Sequence, residues 1–311
     1  MSDLKQEIRV RWISYALIMG AACTAVRAAD EQRFATSDEA IHALTEAAKG
    51  KDTNALAEIF GPGAKELMSA DPVQASNGLA RFSQRVSDKV APVVKSDSRI
   101  ELNLGWDGWP FPIPLVKADG QWFYDTDAGK EEIVNRRIGR DELDTIRVCH
   151  AYVAAQREYA GTDRNGDGIL QYAQMLRSTP GRHDGLYWHA EEGEETSPLG
   201  PLIAEARGEG YVSGSKIMAT NQTPFEGYCF QILTQQGPDA PGGEYTDIIN
   251  GHMIAGFGLV AWPAKWGNTG VMTFIVNQQG KVYQKNLGPD TDELARQMTV
   301  YDPDPSWKPA E

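Results

Sequence analysis

Two periods of apolar and polar positions alternate along this chain, and the places where the period changes divide it. Ser37-Asp38-Glu39 opens a segment in which Ala40, Ile41, Leu44 and Ala47 recur at helical spacing, and Gly50 closes it. Residues 52–60 carry a second helix with Leu56, Ile59 and Phe60, ended by Gly61-Pro62-Gly63, and residues 77–90 a third with Leu79, Phe82 and Val86. The period then falls to two. Residues 99–104 alternate, and residues 111–116 and 121–124 flank Ala118-Asp119-Gly120, a hairpin turn signal.

From Gly129 the pattern is helical again. Gly139 interrupts it and Asp141 caps a further helix, whose stripe of Leu143, Ile146, Cys149 and Val153 puts Cys149 on the core face. This break is expected as a hinge between domains. Later strands follow at 228–234, 255–262, 271–276 and 281–284. The fold class implied is α+β. Helices with a small curved antiparallel sheet fill 34–139, and a long helix on an antiparallel sheet fills 140–300, leaving 301–311 as a tail.

The beginning of the chain changes the compartment. Lys5, Arg9 and Arg11 precede an apolar run over 12–26, and Ala28-Ala29 supplies small residues for cleavage. Residues 1–28 therefore read as a signal peptide, and the destination is periplasmic or secreted. The run is shorter than the ~20 residues a membrane helix needs, so no transmembrane span is expected after cleavage. The length of 311 residues favours two domains, and a net charge of −13 argues against nucleic acid as a partner.

Cleavage also removes Cys23, leaving Cys149 and Cys229 as a candidate disulfide in an oxidising compartment; the alternative is two buried thiols. Asp163-Arg-Asn-Gly-Asp-Gly168 is the one stretch with ligand-like spacing. With Asp163 first in an EF-type loop, Asn165, Asp167, the Ile169 carbonyl and Gln171 take ligand positions and Gly168 takes the sharp turn. Position twelve is Gln174, which lacks the bidentate carboxylate, so a weak calcium site and an ordinary Asx turn both fit.

His183, Asp184, His189 and Glu192 bring imidazole and carboxylate close in sequence and are candidate acid, base or metal ligands; an acidic surface loop is the competing reading. Trp106, Trp109 and Phe111 lie in an aromatic segment with alternate prolines at 110, 112 and 114, which suits a sheet edge or an extended loop and a partner-binding surface. No nucleophile elbow, phosphate loop or dinucleotide fingerprint occurs.

Several groups of residues resemble known families. The helices and the hairpin ending Asp119-Gly-Gln-Trp-Phe123 resemble nuclear-transport-factor-like cone domains over 34–139. Residues 152–159 leading into Asp163, then Tyr172-Ala173 and the hairpin over 273–283, resemble pseudopilin-like globular domains. Trp109-Pro-Phe-Pro-Ile-Pro114, Arg136-Arg-Ile-Gly139, Gly185-Leu-Tyr-Trp188 and Gly251-His-Met-Ile254 together resemble the bacterial domain-of-unknown-function family 2950. That resemblance implies an exported two-domain protein and brings no catalytic residue with it. The expectation is a non-enzymatic envelope module that binds or scaffolds a protein or cell-wall partner. The alternative is a periplasmic hydrolase at the domain junction.

Overall fold

A computed structural model describes residues 31–191, 193–211 and 223–310, so the expected signal peptide lies outside the described residues. The first half opens with α1 (Ser37–Gly50), α2 (Thr53–Phe60), α3 (Ala64–Leu67) and α4 (Pro72–Asp88). Side chains cap the longer of these: Thr36 accepts from the Glu39 amide, Asp52 from Asn54 and Ala55, and Asp71 from Val73 and Gln74. Four antiparallel strands follow in sequential order: β1 (Val90–Ser96), β2 (Arg99–Leu104), β3 (Trp109–Ala118) and β4 (Gln121–Tyr124). Leu44, Phe60, Val86, Leu102, Ile113 and Tyr124 fill the core between helices and sheet.

The aromatic and proline segment is an inner strand, β3, rather than a sheet edge. Its prolines are tolerated because β4 pairs only with 115–118 and the pairing with β2 is irregular between Ile100 and Leu102. Residues 110–114 thus have no neighbouring strand on one side. A helix covers them there instead.

That helix, α5 (Thr126–Tyr159), runs for 34 residues without a break at Gly139. The expected interruption at Gly139 therefore does not occur. A helical glycine costs about 1 kcal/mol relative to alanine, and here the helix is held on both sides of it, by the bonds from Arg137 to the Met68 and Leu67 carbonyls and by those from the Val271 and Met272 amides to Glu142. The face presented to the core is carried by Thr145, Val148, Cys149 and Tyr152, while Leu143 is exposed.

Beyond α5 come α6 (Gly200–Gly208) and the strands β5 (Tyr228–Leu233), β6 (Gln235–Gln236), β7 (Tyr245–Thr246), β8 (Ile248–Ile249) and β9 (His252–Met253). The chain continues with β10 (Gly258–Pro263), β11 (Thr273–Asn277), β12 (Tyr283–Lys285), α7 (Thr291–Arg296), β13 (Val300–Tyr301) and β14 (Lys308–Pro309). The principal sheet has the order β14-β12-β11-β10-β5. Alternation along its strands sends Phe230, Leu259, Ala261 and Phe274 towards α5, and Leu233, Val260, Trp262 and Ile275 to the other face. The architecture is α+β.

Two expectations are corrected. Residues 301–310 are not a tail: β13 pairs with β6, β14 pairs with β12, and Trp307 is buried in the core on the outer face of the sheet. Cys149 and Cys229 are thiols rather than a disulfide. Cys149 sits on the α5 side of the sheet and Cys229, one residue out of phase with Tyr228, faces the opposite core, so the sheet itself stands between them.

Close approach of α5 to β3 depends on one glycine. A Cβ on Gly129 would lie 2.6 Å from the Ile113 Cα and 2.6 Å from the Pro112 carbonyl oxygen, both backbone atoms that cannot step aside alone. Gly129→Ala is therefore expected to destabilise the protein by about 1–3 kcal/mol, as overpacking does, despite alanine's better helix propensity. Denaturant unfolding measures this, and an unchanged or raised midpoint would contradict the packing described.

Candidate functional site

A cavity of about 500 Å³ lies in the first half, bounded by α2, α3, α4, β3 and the first half of α5. Its apolar wall comes from Leu56, Phe60, Leu79, Phe82, Phe111 and Ile133. Aromatic contacts stiffen that wall, since Phe111 packs against Phe60, Phe82 and Trp109 at centroid distances of 6.1, 5.5 and 6.1 Å. Gly78, in the interior of α4, also lines it, and a Cβ added there would meet nothing within 4 Å. The glycine leaves open space where almost any other residue would begin to fill it.

Arginines from two helices stand around this space. Arg81 and Arg85 lie one turn apart on α4, and Arg136 and Arg140 one turn apart on α5. The guanidiniums of Arg85 and Arg136 lie over the Trp109 ring, 5.1 and 5.9 Å from its centroid. Arg137 has a different task. It is buried and donates to the Met68 carbonyl at 2.9 Å and to that of Leu67, satisfying the end of α3.

Behind the cavity, Gln74 leads into a polar cluster that joins the two halves. Its amide donates to Asp141 Oδ1 at 3.0 Å and to Glu226 Oε2 at 3.3 Å. Asp71, fully buried, accepts from Val73 and Gln74 with Oδ1, and from the Tyr211 hydroxyl at 2.8 Å and the Gly227 amide at 3.1 Å with Oδ2. Asn268 adds a reciprocal pair of bonds, accepting from the Ala70 amide at 2.8 Å and donating to the Met68 carbonyl at 3.2 Å. Glu142 receives the amides of Val271 and Met272.

Two carboxyls of this cluster are pushed towards the neutral form. Burial raises Asp141 to about 7 even though Arg140 and Gln74 oppose the shift, and its Oδ2 finds no hydrogen-bond partner among the described residues. Burial also raises Glu226, and the nearby Glu209 carboxyl adds to the effect. Desolvation dominates both.

The model of one family, a protein of unknown function (DUF2950), matches residues 31–310. The chain belongs to this family. No curated protein and no solved structure matches it.

In this DUF2950 chain the residues singled out from sequence are distributed unevenly. Trp109 and Phe111 meet at the cavity wall, Trp109 half-buried and Phe111 buried, so Phe111 is not part of an exposed partner surface. Trp106 is 79% exposed on the β2–β3 turn, beside Lys89. His183 stacks on Trp188 with centroids 4.2 Å apart, Asp184 accepts the Thr179 amide within its own loop, and exposed His189 pairs with Glu191 at 3.4 Å. Glu192 lies outside the described residues. His183, Asp184 and His189 do not line the cavity, and no group of three or more His, Cys, Asp or Glu side chains suited to a metal occurs among the described residues.

The 163–171 loop is held by its own amides. Asp163 accepts from Gly166 and Gly168 at 2.8 Å, Asp167 accepts from Ile169 at 2.8 Å, and Asn165 donates to Asp167 at 2.7 Å. These amide bonds hold Asp163 below the usual carboxylate range, the Gly168 amide foremost. Gln171 is half-buried, and Gln174 donates to the Gly251 carbonyl at 2.7 Å. Both oxygens of the first would-be ligand are thus engaged within the loop.

The cavity was not singled out in the sequence. Its arginines sit on two helices more than fifty positions apart, and only the one-turn spacing within each helix was there to be read.

Linkage gives the cluster a pH signature. Asp141 binds its proton with a pKa of about 7 when folded, against about 4 when unfolded. Below the lower value both states are protonated; between the two the folded state holds the extra proton, so stability falls as pH rises through the window. Unfolding free energy is expected to drop between pH ~4 and ~7 by at most about 1.4 kcal/mol per pH unit from this group. Asp141→Asn should flatten the profile in denaturant titrations at several pH values, and a slope identical to that of the parent protein would refute the assignment.

Proposed function

We propose that this protein is a non-enzymatic binding module of the cell envelope, and that the cavity between α2, α4, β3 and α5 receives the apolar part of its ligand. The observation that carries this reading is the wall itself. Aliphatic and aromatic side chains line it beside Lys65 and five arginines, Gly78 keeps it open, and the lining includes no histidine, cysteine, aspartate or glutamate. Such a wall offers contact area and shape, the usual basis of small-molecule sites of this size. The hydroxyl of Ser69, which also lines it, is engaged by Gln74 and the Asp71 amide rather than by Lys65.

Other features support the reading. The N-terminal basic and apolar run fits export, and the resemblance of the two halves to cone-like and pilin-like domains fits folds that serve as recognition modules. Trp106 and Trp109 place aromatic surface on the turn and strand beside the cavity, where a protein or cell-wall partner carrying the ligand would meet them.

A neutral, environment-sensitive dye such as Nile red tests the cavity directly. The protein is expected to bind it with enhanced emission, and Gly78→Phe, which projects a ring into the open space, should weaken binding by about tenfold or more. Equal affinity in the parent protein and a Gly78→Phe variant of unchanged melting temperature would sink the proposal.

A further inference from the structure

Resting on the reading of the cavity as a binding site, we infer that its ligand is an amphipathic anion: an acyl or alkyl chain that lies against the apolar wall with a single carboxylate or phosphate head held by the arginines of α4 and α5. The inference starts from a contrast in charge. The chain as a whole carries 43 acidic against 30 basic residues, yet the cavity is lined by Lys65, Arg81, Arg85, Arg136, Arg137 and Arg140 with no acidic residue among them. A protein of this net charge repels anions generally, so a cationic, aromatic-backed wall is a local exception.

Geometry separates these cations by role. Arg137 is committed to the carbonyls of α3. Arg85 and Arg136 flank the Trp109 ring from opposite helices, which holds two like charges at one aromatic plate and leaves an anion as the natural group to sit between them. Their carboxylate partners, Asp107 at 2.9 Å and Glu132 at 2.8 Å, have side chains 58% and 54% exposed. Exposed pairs of this kind contribute little to stability, so they can give way to a ligand. Arg81 is exposed and has no carboxylate partner among the described residues. Planar guanidiniums present paired N–H donors that match the oxygens of a carboxylate or phosphate.

The apolar side fixes the rest of the ligand. Free phosphate or a small carboxylate would use the arginines and leave the Leu56, Phe60, Phe82 and Ile133 wall wet, and a plain hydrocarbon would use the wall and leave the arginines idle. One molecule uses both only if it has a chain and a charged end.

The experiment is displacement of Nile red from the full mature chain by dodecanoate, dodecyl phosphate and dodecanol, which share one chain and differ in the head. Dodecanoate or dodecyl phosphate should compete at least about tenfold better than dodecanol, the margin expected of a charge-assisted contact. That advantage should shrink with added salt. Arg81→Gln is the first variant because Arg81 has no carboxylate partner to lose among the described residues, and the ratio of anion to alcohol within the same variant should fall towards one; Arg136→Gln repeats the test from the other helix. A carboxylate that outcompetes the phosphate identifies an acyl acid, and the reverse order a phosphate head. If dodecanol competes as well as both anions, or if no amphiphile displaces a dye that does bind, the anion inference is overturned while the cavity reading stands. Absence of dye binding removes the cavity reading itself.

Discussion

The carboxylate of Asp71 is the point on which the two halves of the molecule depend. One oxygen caps α4 through the Val73 and Gln74 amides, and the other receives the Tyr211 hydroxyl and the Gly227 amide from the far end of the chain. A fully buried carboxylate is costly to desolvate, and these four donors offset that cost. The same four bonds fix where α4 starts, and with it the places of Gln74, Gly78, Arg81 and Arg85 along the cavity. The cavity on one side of α4 and the join between the two halves on the other thus share a single anchor.

The second fixed element is α5, which carries one core at each end. Gly129 brings its first turns against the backbone of β3, and Cys149 and Tyr152 bury its later turns against the principal sheet. Between them Glu142 accepts two amides from the approach to β11, and Arg137 and Arg140 face the cavity. Because the helix is continuous, the arginines of its middle are held relative to both cores at once. The cavity is walled by the first half, but its α5 side takes its position from the second.

Much of the secondary structure was legible because burial imposes a period on the sequence. The α1 stripe and the hairpin at Asp119-Gly120 follow from the periods that packing on one face requires, and the strands around Leu259 and Phe274 from continuous apolar runs buried on both faces. The failures have a common cause in tertiary contacts that override local preference. Gly139 reads as a break yet stays helical because both flanks are packed. The prolines of β3 read as an edge, which they are only locally, where β4 has ended and α5 takes over. Cys149 and Cys229 read as a pair because sequence counts cysteines without showing the sheet that separates them. Of the candidate site, only Trp109 and Phe111 were legible. The arginines were hidden because each is unremarkable on its own helix and acquires meaning only when two helices face each other.

Asp71 also sets an order of events in time. Its amide partners at Val73 and Gln74 are neighbours in sequence, whereas Tyr211 and Gly227 lie 140 and 156 residues further on. A chain made from its N-terminus therefore has α4 and its cap long before the remaining donors exist, and until they arrive the second oxygen must be solvated by water. Closing so long a loop is slow compared with forming the local turns. The first half spends its early life with its join open to solvent, and it can be sealed only once nearly three quarters of the chain has been made.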